Sequence, residues 1–362
     1  MFRIKKQLIA IFGLACCAHG MFAATGCRQS LARDSVCESA VAYATALMRS
    51  RHLMAVTVVQ QVSTGALVLF AASEPDKLDV STPVLPLSLS KVFLAASWWD
   101  RGRPDREFES VHGIETAENP AYRKRVNAHE MLVGGSDSAG IQMALALRKA
   151  VGAQAVLDDL SRFGFNRSGQ SFWAKVDPEW KIRLKVQTAN ASLNDLSDEA
   201  WGSALSIGES HMTISALQVS EFFQAVGNGG VSCAPVALRL REDSHEVSKR
   251  GCIAPSRMMN DKTAARLMNA MLDTVKRGTA NGISAALKDV GWSMGGKTGT
   301  GGLKGAPTSE QDGWFAGLIF DRKLKARFTV ATFTRRGGTG GGNAAEISVA
   351  VAHFLATDEM EH

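Results

Sequence analysis

The sequence lacks the features that define several classes of protein. It contains no Cys-x-x-Cys pair, no sustained heptad pattern and no internal repeat of about 20 to 50 residues, which excludes zinc ribbons, coiled coils and solenoids. A formal net charge of +6 over 362 residues is too small to indicate a nucleic-acid partner. The 45% apolar and 21% charged residues indicate a folded globular chain of one large domain or two small ones.

Long hydrophobic runs are also missing. The one apolar stretch that could contact a membrane, residues 8–18, is too short to span a bilayer comfortably, and it follows a basic amino end. This pattern predicts an export signal over residues 1–26, with cleavage after Gly20, or near residue 26 if Cys27 is lipidated. An uncleaved anchor is the third alternative. We therefore expect a periplasmic protein, either free or held at the membrane.

Cysteines are few, and export would change their chemistry. Removal of the signal leaves four of the six, namely Cys27, Cys37, Cys233 and Cys252. Four cysteines allow three pairings, and the sequence does not choose among them, although separations of 10 and 19 residues favour the two local pairs. In an oxidising compartment we expect Cys233 to pair with Cys252. Two buried thiols are the alternative for that pair.

The order of predicted elements is a helix, two strands, a long helical segment, three strands and a last helix. Residues 55–61 and 66–72 are rich in Val, Leu and Phe and flank a Ser-Thr-Gly turn, which predicts a hairpin. The remaining predicted strands cover residues 291–300, 313–320 and 326–334. We predict an α+β fold, in which a five-stranded antiparallel sheet is packed by the terminal helices and carries a large helical insertion subdomain. A cleft should lie where insertion meets sheet.

Ser88 and Lys91 are the first candidates for chemistry. They lie one helical turn apart at the start of a predicted helix, so a neutral Lys91 amine could accept the Ser88 hydroxyl proton. A Ser-x-x-Lys pattern also arises by chance roughly once in a chain of this length, and the alternative is a capped, solvated helix start. The pair Trp98-Trp99 farther along this helix is interpreted as core, with a glycan or peptide groove as the alternative.

Two further segments carry compatible residue types. The segment Lys297-Thr298-Gly299-Thr300 lies in a predicted strand, whose backbone N–H groups and side chains could hold an oxyanion and a carboxylate. An edge strand protected by its lysine is the alternative. Ser136, in the loop Ser136-Asp137-Ser138, follows a predicted helix and could pass a proton between an amine and a leaving group. Its alternative is a helix cap.

In this order, the three segments resemble the signatures Ser-x-x-Lys, Ser-x-Asn and Lys-Thr-Gly of the penicillin-binding transpeptidase domain. Other similar segments are the opening hairpin, Leu160–Phe165, Ser206–Glu209, Leu217-Gln218, Asn228–Gly230 and Gly278–Ala280. The resemblance covers residues 50–356 and implies the α+β fold described above. It divides the chain into a signal, a short helical region over residues 27–50 and a transpeptidase domain over residues 51–362.

The resemblance also implies an activity. The protein would be a serine D,D-transpeptidase that cross-links peptidoglycan stem peptides, with β-lactams as inhibitors and no metal or cofactor. Ser88 would be the acylated nucleophile, Lys91 its general base and Ser136 the proton relay to the departing D-alanine. Lys91 must be neutral to accept a proton, and burial beside a second lysine would favour that form. A protein partner in cell-wall synthesis would recruit the domain, unless its substrates are small or already placed.

Substrate contacts are implied in the same way. The N–H groups of Ser88 and Thr300 would hold the oxyanion, and Lys297, Thr298 and Thr300 would hold the terminal carboxylate, with Gly299 between them. Ser138 departs from the family pattern because a hydroxyl, shorter than a carboxamide, stands where Asn is usual. We expect retained acylation with altered substrate handling.

One absence separates the related activities. A class A β-lactamase needs a Glu, usually in Glu-x-x-Leu-Asn, to activate the deacylating water, whereas Asn190 precedes Leu193-Asn194 here. Fast hydrolysis of an acyl-enzyme is therefore disfavoured. The alternatives are a D,D-carboxypeptidase, a β-lactamase and a degenerate, non-catalytic domain that binds β-lactams or the cell wall.

Three other patterns are weaker. Ser138 half resembles a nucleophile elbow, but the preceding residues 127–133 favour a helix and not the strand that an elbow needs. His129-Glu130 begins a zincin motif whose second histidine is replaced by Val133. Residues 337–342 are rich in glycine but lack Gly-Lys-Ser/Thr, which favours a flexible connection over a phosphate loop.

Overall fold

A computed structural model describes residues 38–110, 125–166, 190–235, 251–252, 254–302 and 305–360. The predicted export signal, Cys27 and Cys37 lie outside the described residues, so those expectations stay predictions. Among the described helices, none is both long enough and apolar enough to cross a bilayer.

Five strands form one antiparallel sheet, as predicted. Their bounds are β1 Met54–Gln60, β2 Leu67–Ala72, β3 Ser293–Gly301, β4 Asp312–Phe320 and β5 Ala326–Arg335. The order across the sheet is β2-β1-β5-β4-β3, so the amino-terminal hairpin pairs with the last strand of the chain. In that pairing Val56 lies opposite Phe333. Strand β3 forms one edge of the sheet, and its outer side faces the helical insertion.

Nine helices are described. Their bounds are α1 Glu38–Ser50, α2 Ser90–Asp100, α3 Ala128–Gly134, α4 Asp137–Val151, α5 Ala153–Arg162, α6 Asp198–Ser206, α7 Ala216–Gly227, α8 Asp261–Arg277 and α9 Ala345–Met360. Three short ribbons accompany the insertion and pair Phe108–Glu109 with Arg125–Val126, Asn190–Ala191 with Met212–Thr213, and Val231–Ser232 with Ser256–Arg257. Helices α2 to α8 lie between β2 and β3 in the chain and make up the predicted insertion.

The sheet separates two hydrophobic cores. Successive strand residues point to opposite faces, so Trp314 packs among the insertion helices whereas Phe315 packs with α1 and α9. The first core includes Phe93 of α2, and the second includes Leu355 of α9. The predicted covering of the sheet by the terminal helices and the insertion is confirmed.

Helix α2 runs through the middle of the first core. Ten of its eleven residues are buried, which agrees with its nearly continuous apolar sequence. Trp98 and Trp99 are 3% and 6% exposed, so their interpretation as core residues is confirmed. Lys91 is buried in the same helix and therefore needs partners for its amine.

Cys233 and Cys252 form a disulfide, which confirms their predicted pairing over the alternative of two thiols. Cys233 is fully buried, and its N–H donates to the Gln224 side chain at 2.9 Å. A Cβ atom at Gly65, in the turn of the β1–β2 hairpin, would lie 2.8 Å from the Cys233 Cβ. The disulfide therefore fastens the loop after α7 beside this hairpin.

Candidate active site

Ser88 lies in the short helical turn Leu87–Leu89 that leads into α2. Leu87 has a φ of +52°, a strained conformation for a residue with a branched side chain. Its N–H donates to the Gly208 carbonyl at 3.1 Å, and a Cβ at Gly208 would lie 2.2 Å from the Leu87 oxygen. Only glycine fits at position 208, and this close contact fixes the backbone that presents the half-buried Ser88 side chain.

The Lys91 amine is fully buried and contacts three oxygen atoms. Its Nζ lies 3.0 Å from Ser88 Oγ, 2.8 Å from the Ser206 carbonyl oxygen and 2.5 Å from Asp137 Oδ1. The predicted contact between Ser88 and Lys91 is therefore present. Asp137, to which the sequence motifs assign no role, supplies the charged partner of this buried lysine.

Ser136 and Ser138 flank Asp137 at the start of α4. The Ser136 hydroxyl accepts from the Ala139 N–H at 3.3 Å and shares hydrogen bonds with Ser110 Oγ at 2.8 Å and Ser138 Oγ at 3.4 Å. Ser136 therefore caps α4, as the alternative interpretation of this residue in the sequence predicts. Among the described residues, neither catalytic lysine candidate is a hydrogen-bond partner of Ser136. Its role as a proton relay stays a prediction.

The segment before this loop also folds as the sequence indicates. Residues 127–133 lie almost wholly in helix α3, Ala128–Gly134, which excludes the strand required by a nucleophile elbow. Gly135 ends the helix with a φ of +78°, and a Cβ added there would lie 3.9 Å from Lys297 Nζ. The turn between α3 and α4 therefore approaches the lysine of β3.

Lys297 is the second buried lysine of the site, with 1% of its surface exposed. Burial and, as a smaller cause, repulsion from Lys91 together lower the pKa of Lys297 to about 7, although the Asp137 carboxylate acts in the opposite direction. The Nζ donates to the Thr298 carbonyl at 3.0 Å. The expectation that a second lysine favours the neutral form of Lys91 stays a prediction, and the influence that the structure shows is that of Lys91 on the pKa of Lys297.

The rest of the β3 segment lies alongside the Ser88 turn. A Cβ at Gly299 would lie 3.4 Å from the Ser88 backbone nitrogen, so glycine permits the close approach. Thr298 Oγ1 shares a hydrogen bond of 2.7 Å with Thr279 Oγ1 after α8. The exposed Thr300 accepts from the Gly340 N–H at 3.0 Å.

The glycine-rich segment 337–342 packs closely against the sheet. A Cβ at Gly340 would lie 2.1 Å from the Trp314 carbonyl oxygen, so this part of the segment packs directly on the sheet. The sequence offered no signal for its contact with Thr300. The signal for the Thr279 contact was the similarity of Gly278–Ala280 to the family pattern.

The motif residues thus meet where insertion and sheet join, as predicted. The turn before α2 supplies Ser88, helices α2, α4 and α6 supply Lys91, Asp137 and the Ser206 carbonyl, and β3 supplies Lys297 and the threonines. A hydroxyl within reach of a buried amine, beside an open strand edge, can carry out acyl transfer.

Comparisons with known proteins agree with this geometry. The model of the penicillin binding protein transpeptidase domain matches residues 55–353. No curated protein matches the chain at a significant level. Penicillin-binding protein A from Mycobacterium tuberculosis, solved as a ceftriaxone acyl-enzyme complex, is 17% identical with a TM-score of 0.67, over 89% of this chain and 78% of that one.

Two Burkholderia structures are similar to the same extent. The apo transpeptidase domain of penicillin-binding protein 3 from Burkholderia pseudomallei is 17% identical, with a TM-score of 0.65 over 91% of this chain and 96% of that one. A peptidoglycan glycosyltransferase from Burkholderia ambifaria is 16% identical, with a TM-score of 0.66 over 88% and 95% of the two chains. Because the family match spans most of the sequence and the solved structures share the fold, this chain belongs to the penicillin-binding protein transpeptidase family.

Proposed function

We propose that this protein is a serine D,D-transpeptidase that cross-links peptidoglycan stem peptides through an acyl-enzyme on Ser88. The observation that carries the proposal is the position of the buried Lys91 amine, 3.0 Å from the Ser88 hydroxyl. A nucleophile with a base in hydrogen-bond reach, itself oriented by a third group, is the arrangement used in covalent catalysis. Family membership supports the choice of wall peptides as substrates.

In the proposed reaction, Lys91 takes the Ser88 proton while Oγ attacks the carbonyl carbon of the penultimate D-alanine. The N–H groups of Ser88 and Thr300 hold the oxyanion, because β3 lies beside the Ser88 backbone. Lys297, Thr298 and Thr300 bind the terminal carboxylate. Ser136 would pass the proton to the departing D-alanine, for which its hydroxyl must leave Ser110. An acceptor amine then attacks the acyl-enzyme and forms the cross-link.

Transfer is favoured over hydrolysis by the residue at position 190. Asn190 lies in a short ribbon opposite Thr213, and a carboxamide is not a general base for water. The Mycobacterium tuberculosis protein was solved as a ceftriaxone acyl-enzyme complex, which supports the proposal that β-lactams acylate Ser88. These points favour a long-lived adduct over the turnover of a β-lactamase.

The test is incubation of the purified protein with a fluorescent penicillin, followed by intact mass over several hours. A stable adduct that Ser88→Ala abolishes, without loss of fold, supports the proposal. Ser50→Ala, which changes an exposed serine at the end of α1, should label like the wild type. Rapid loss of the adduct indicates a β-lactamase, and no adduct at high drug concentration indicates a non-catalytic domain. If Lys91→Ala labels at the wild-type rate, Lys91 is not the base.

A second assay separates transfer from carboxypeptidase activity. A donor peptide that ends in D-alanyl-D-alanine is incubated with and without an added amine acceptor. An amide product that grows with acceptor concentration supports the transpeptidase, whereas free hydrolysed peptide at all acceptor concentrations supports the carboxypeptidase.

We further propose that the domain works outside the cytoplasm, in the periplasm, after export by the amino-terminal signal. The disulfide supports this location because such bonds persist in oxidising compartments, and penicillin-binding domains act on the cell wall. Recruitment by another protein of cell-wall synthesis is part of the proposal.

A further inference from the structure

The surroundings of Lys91 contain more than the proposed reaction requires. An ammonium group has three N–H donors, and the buried Nζ has three acceptors around it, on Ser88, Ser206 and Asp137. The Ser206 acceptor is a backbone carbonyl at the end of α6, and the Asp137 acceptor is a carboxylate at the first residue of α4. Ser206 and Asp137 therefore accept two of the three N–H groups of the Lys91 ammonium, and the third points to Ser88.

The same contacts orient the neutral amine. A neutral lysine keeps two N–H donors and one lone pair. When the two donors remain on Ser206 and Asp137, the lone pair points to Ser88 Oγ. The pair of acceptors therefore holds Lys91 in the orientation in which it can take the Ser88 proton.

We propose that Asp137 positions the general base Lys91. Ser88, Lys91 and Asp137 would then act as a hydrogen-bonded series, in which Asp137 orients Lys91 and Lys91 takes the Ser88 proton. This inference rests on the proposed function. Asp137 does not touch the substrate, but directs the lone pair of Lys91 and stabilises the ammonium that forms when Ser88 attacks. Asp137 is the middle residue of the Ser136-Asp137-Ser138 loop, a position at which the Ser-x-Asn signature accepts any residue.

The Ser88 proton moves to the Lys91 lone pair, the Oγ electron pair bonds to the substrate carbonyl carbon, and the carbonyl π pair moves onto its oxygen. As that pair re-forms the carbonyl, the bond from carbon to the leaving nitrogen breaks, and the nitrogen takes a proton that Lys91 gives up. The Asp137 carboxylate faces the positive charge while Lys91 carries it.

The neighbouring serines strengthen the assignment. Ser136 is turned toward Ser110 and the start of α4, and Ser138 donates to the Glu109 carbonyl at 3.3 Å. Both hydroxyls of the loop therefore face the ribbon strand that contains Glu109, whereas the carboxylate between them faces Lys91. The family usually has Asn at position 138, whereas this protein has the shorter Ser138. The side chain of this loop that contacts Lys91 is that of Asp137.

Two charged groups face Asp137 in the part of the chain that the structure describes. Lys91 approaches it from α2, and Lys297 interacts with it from β3. The neighbour from α6 is uncharged, because the Ser206 hydroxyl donates to the Asp137 carbonyl at 2.9 Å. The Asp137 side chain is 55% exposed, so it sits at the boundary between the buried lysines and solvent.

The test compares Asp137→Asn, Asp137→Ala and Asp137→Glu in acylation by fluorescent penicillin across a pH series. Asn keeps an acceptor for Lys91 but removes the charge, so the maximal second-order rate should fall about 10-fold, whereas Ala removes both and should cost about 100-fold. Without the carboxylate, an ammonium of the lysine pair loses its proton more easily. The acid limb of the Asn profile should therefore move about one unit to lower pH. Glu should recover most of the rate.

Asp261→Asn is the matched control. Asp261 is also the first residue after an Asn or Ser cap, at the start of α8, and this 17-residue helix places it about 25 Å from the active-site end. The control should change neither rate nor pH profile. A slower Asp137→Asn enzyme with an unmoved acid limb and a reduced folded fraction, measured by circular dichroism, would show a structural role only and overturn the inference.

The inference also fails if both Asp137→Asn and Asp137→Ala acylate within about two-fold of the wild type. That result would leave the proposed function intact, since the wild type would still label on Ser88. A wild type that never labels would instead overturn the proposed function, and the positioning role with it.

Discussion

Among the described residues of this site, the two buried lysines Lys91 and Lys297 both interact with the Asp137 carboxylate. Lys91 contacts Asp137 directly, whereas Lys297 is farther from it and donates to a backbone carbonyl. Two cations in a low-dielectric interior repel each other, and one carboxylate does not compensate both. Burial first, and then repulsion from Lys91, lowers the pKa of Lys297 to about 7, which gives the site an amine that is close to half-protonated near neutral pH.

This residue should affect stability in a pH-dependent way. The pKa of Lys297 falls from an ordinary 10.5 to about 7 on folding, so between these values the unfolded chain binds more protons than the folded one. The free energy of unfolding should therefore rise with pH across this window, by at most about 1.4 kcal/mol per pH unit from this group. Lys297→Met should show a flatter rise, measured by urea unfolding at intervals of one pH unit. Parallel curves for the two proteins would contradict the assignment.

At the scale of elements, helices α4 and α6 are brought together by paired glycines. A Cβ at Gly140 of α4 would lie 2.2 Å from the Ser206 Oγ, and a Cβ at Gly202 of α6 would lie 2.8 Å from the Ile141 Cγ2. The Ser206 carbonyl also accepts from Ser90 at 2.8 Å, so α6 is held against the start of α2 as well. The distance between these helices therefore sets the position of an acceptor for Lys91.

Gly140→Ala tests this packing. Alanine is intrinsically better than glycine in a helix by about 1 kcal/mol, but the clash with Ser206 should outweigh that gain and cost about 1–3 kcal/mol in unfolding free energy. Displacement of Ser206 should also slow acylation by about 10-fold in the folded protein.

Gly227→Ala is the control for Gly140→Ala. A Cβ there would lie 2.9 Å from Leu318 and 3.1 Å from Val62, so it crowds the core at the end of α7 and not the Lys91 site. It should lose comparable stability yet keep the wild-type acylation rate per folded molecule. Equal acylation losses in both variants would mean that general destabilisation, and not the position of α6, controls the rate.

The elements were predictable where the signal is local. Periodic apolar residues and a Ser-Thr-Gly turn predicted the β1–β2 hairpin within a residue of its bounds, and a three-residue spacing predicted the contact of Ser88 with Lys91. The partners of Lys91 from α4 and α6 lie 46 and 115 residues away in sequence, and only the packing of three helices brings them together. The effect of burial, Lys91 and Asp137 on the pKa of Lys297 depends on the same packing, so the sequence could not predict it.

At the scale of the whole molecule, the two faces of the sheet have separate functions. The face covered by α1 and α9 forms one hydrophobic core, and the opposite face carries the insertion with Ser88, Lys91 and Asp137. The amino-terminal hairpin pairs with β5 in the centre of the sheet, so the domain cannot form until residues far apart in the chain have met. A covalent cross-link that restricts the unfolded chain, and that lies away from Ser88, should therefore stabilise the domain without affecting acylation.

The disulfide is such a contact. Cys233 and Cys252 close a loop of 19 residues beside the β1–β2 turn, and the loss of chain entropy predicts about 3 kcal/mol of stabilisation. The double variant Cys233→Ser/Cys252→Ser should lose about this much in urea unfolding, and reductant should bring the wild type to the same value. Because the pair lies at the end of the insertion that contacts the hairpin, acylation by penicillin per folded molecule should stay within about two-fold of wild type. A large loss of acylation in a fully folded variant would show that this loop reaches the active site, and equal stability of all forms would show that the closed loop does not restrict the unfolded chain.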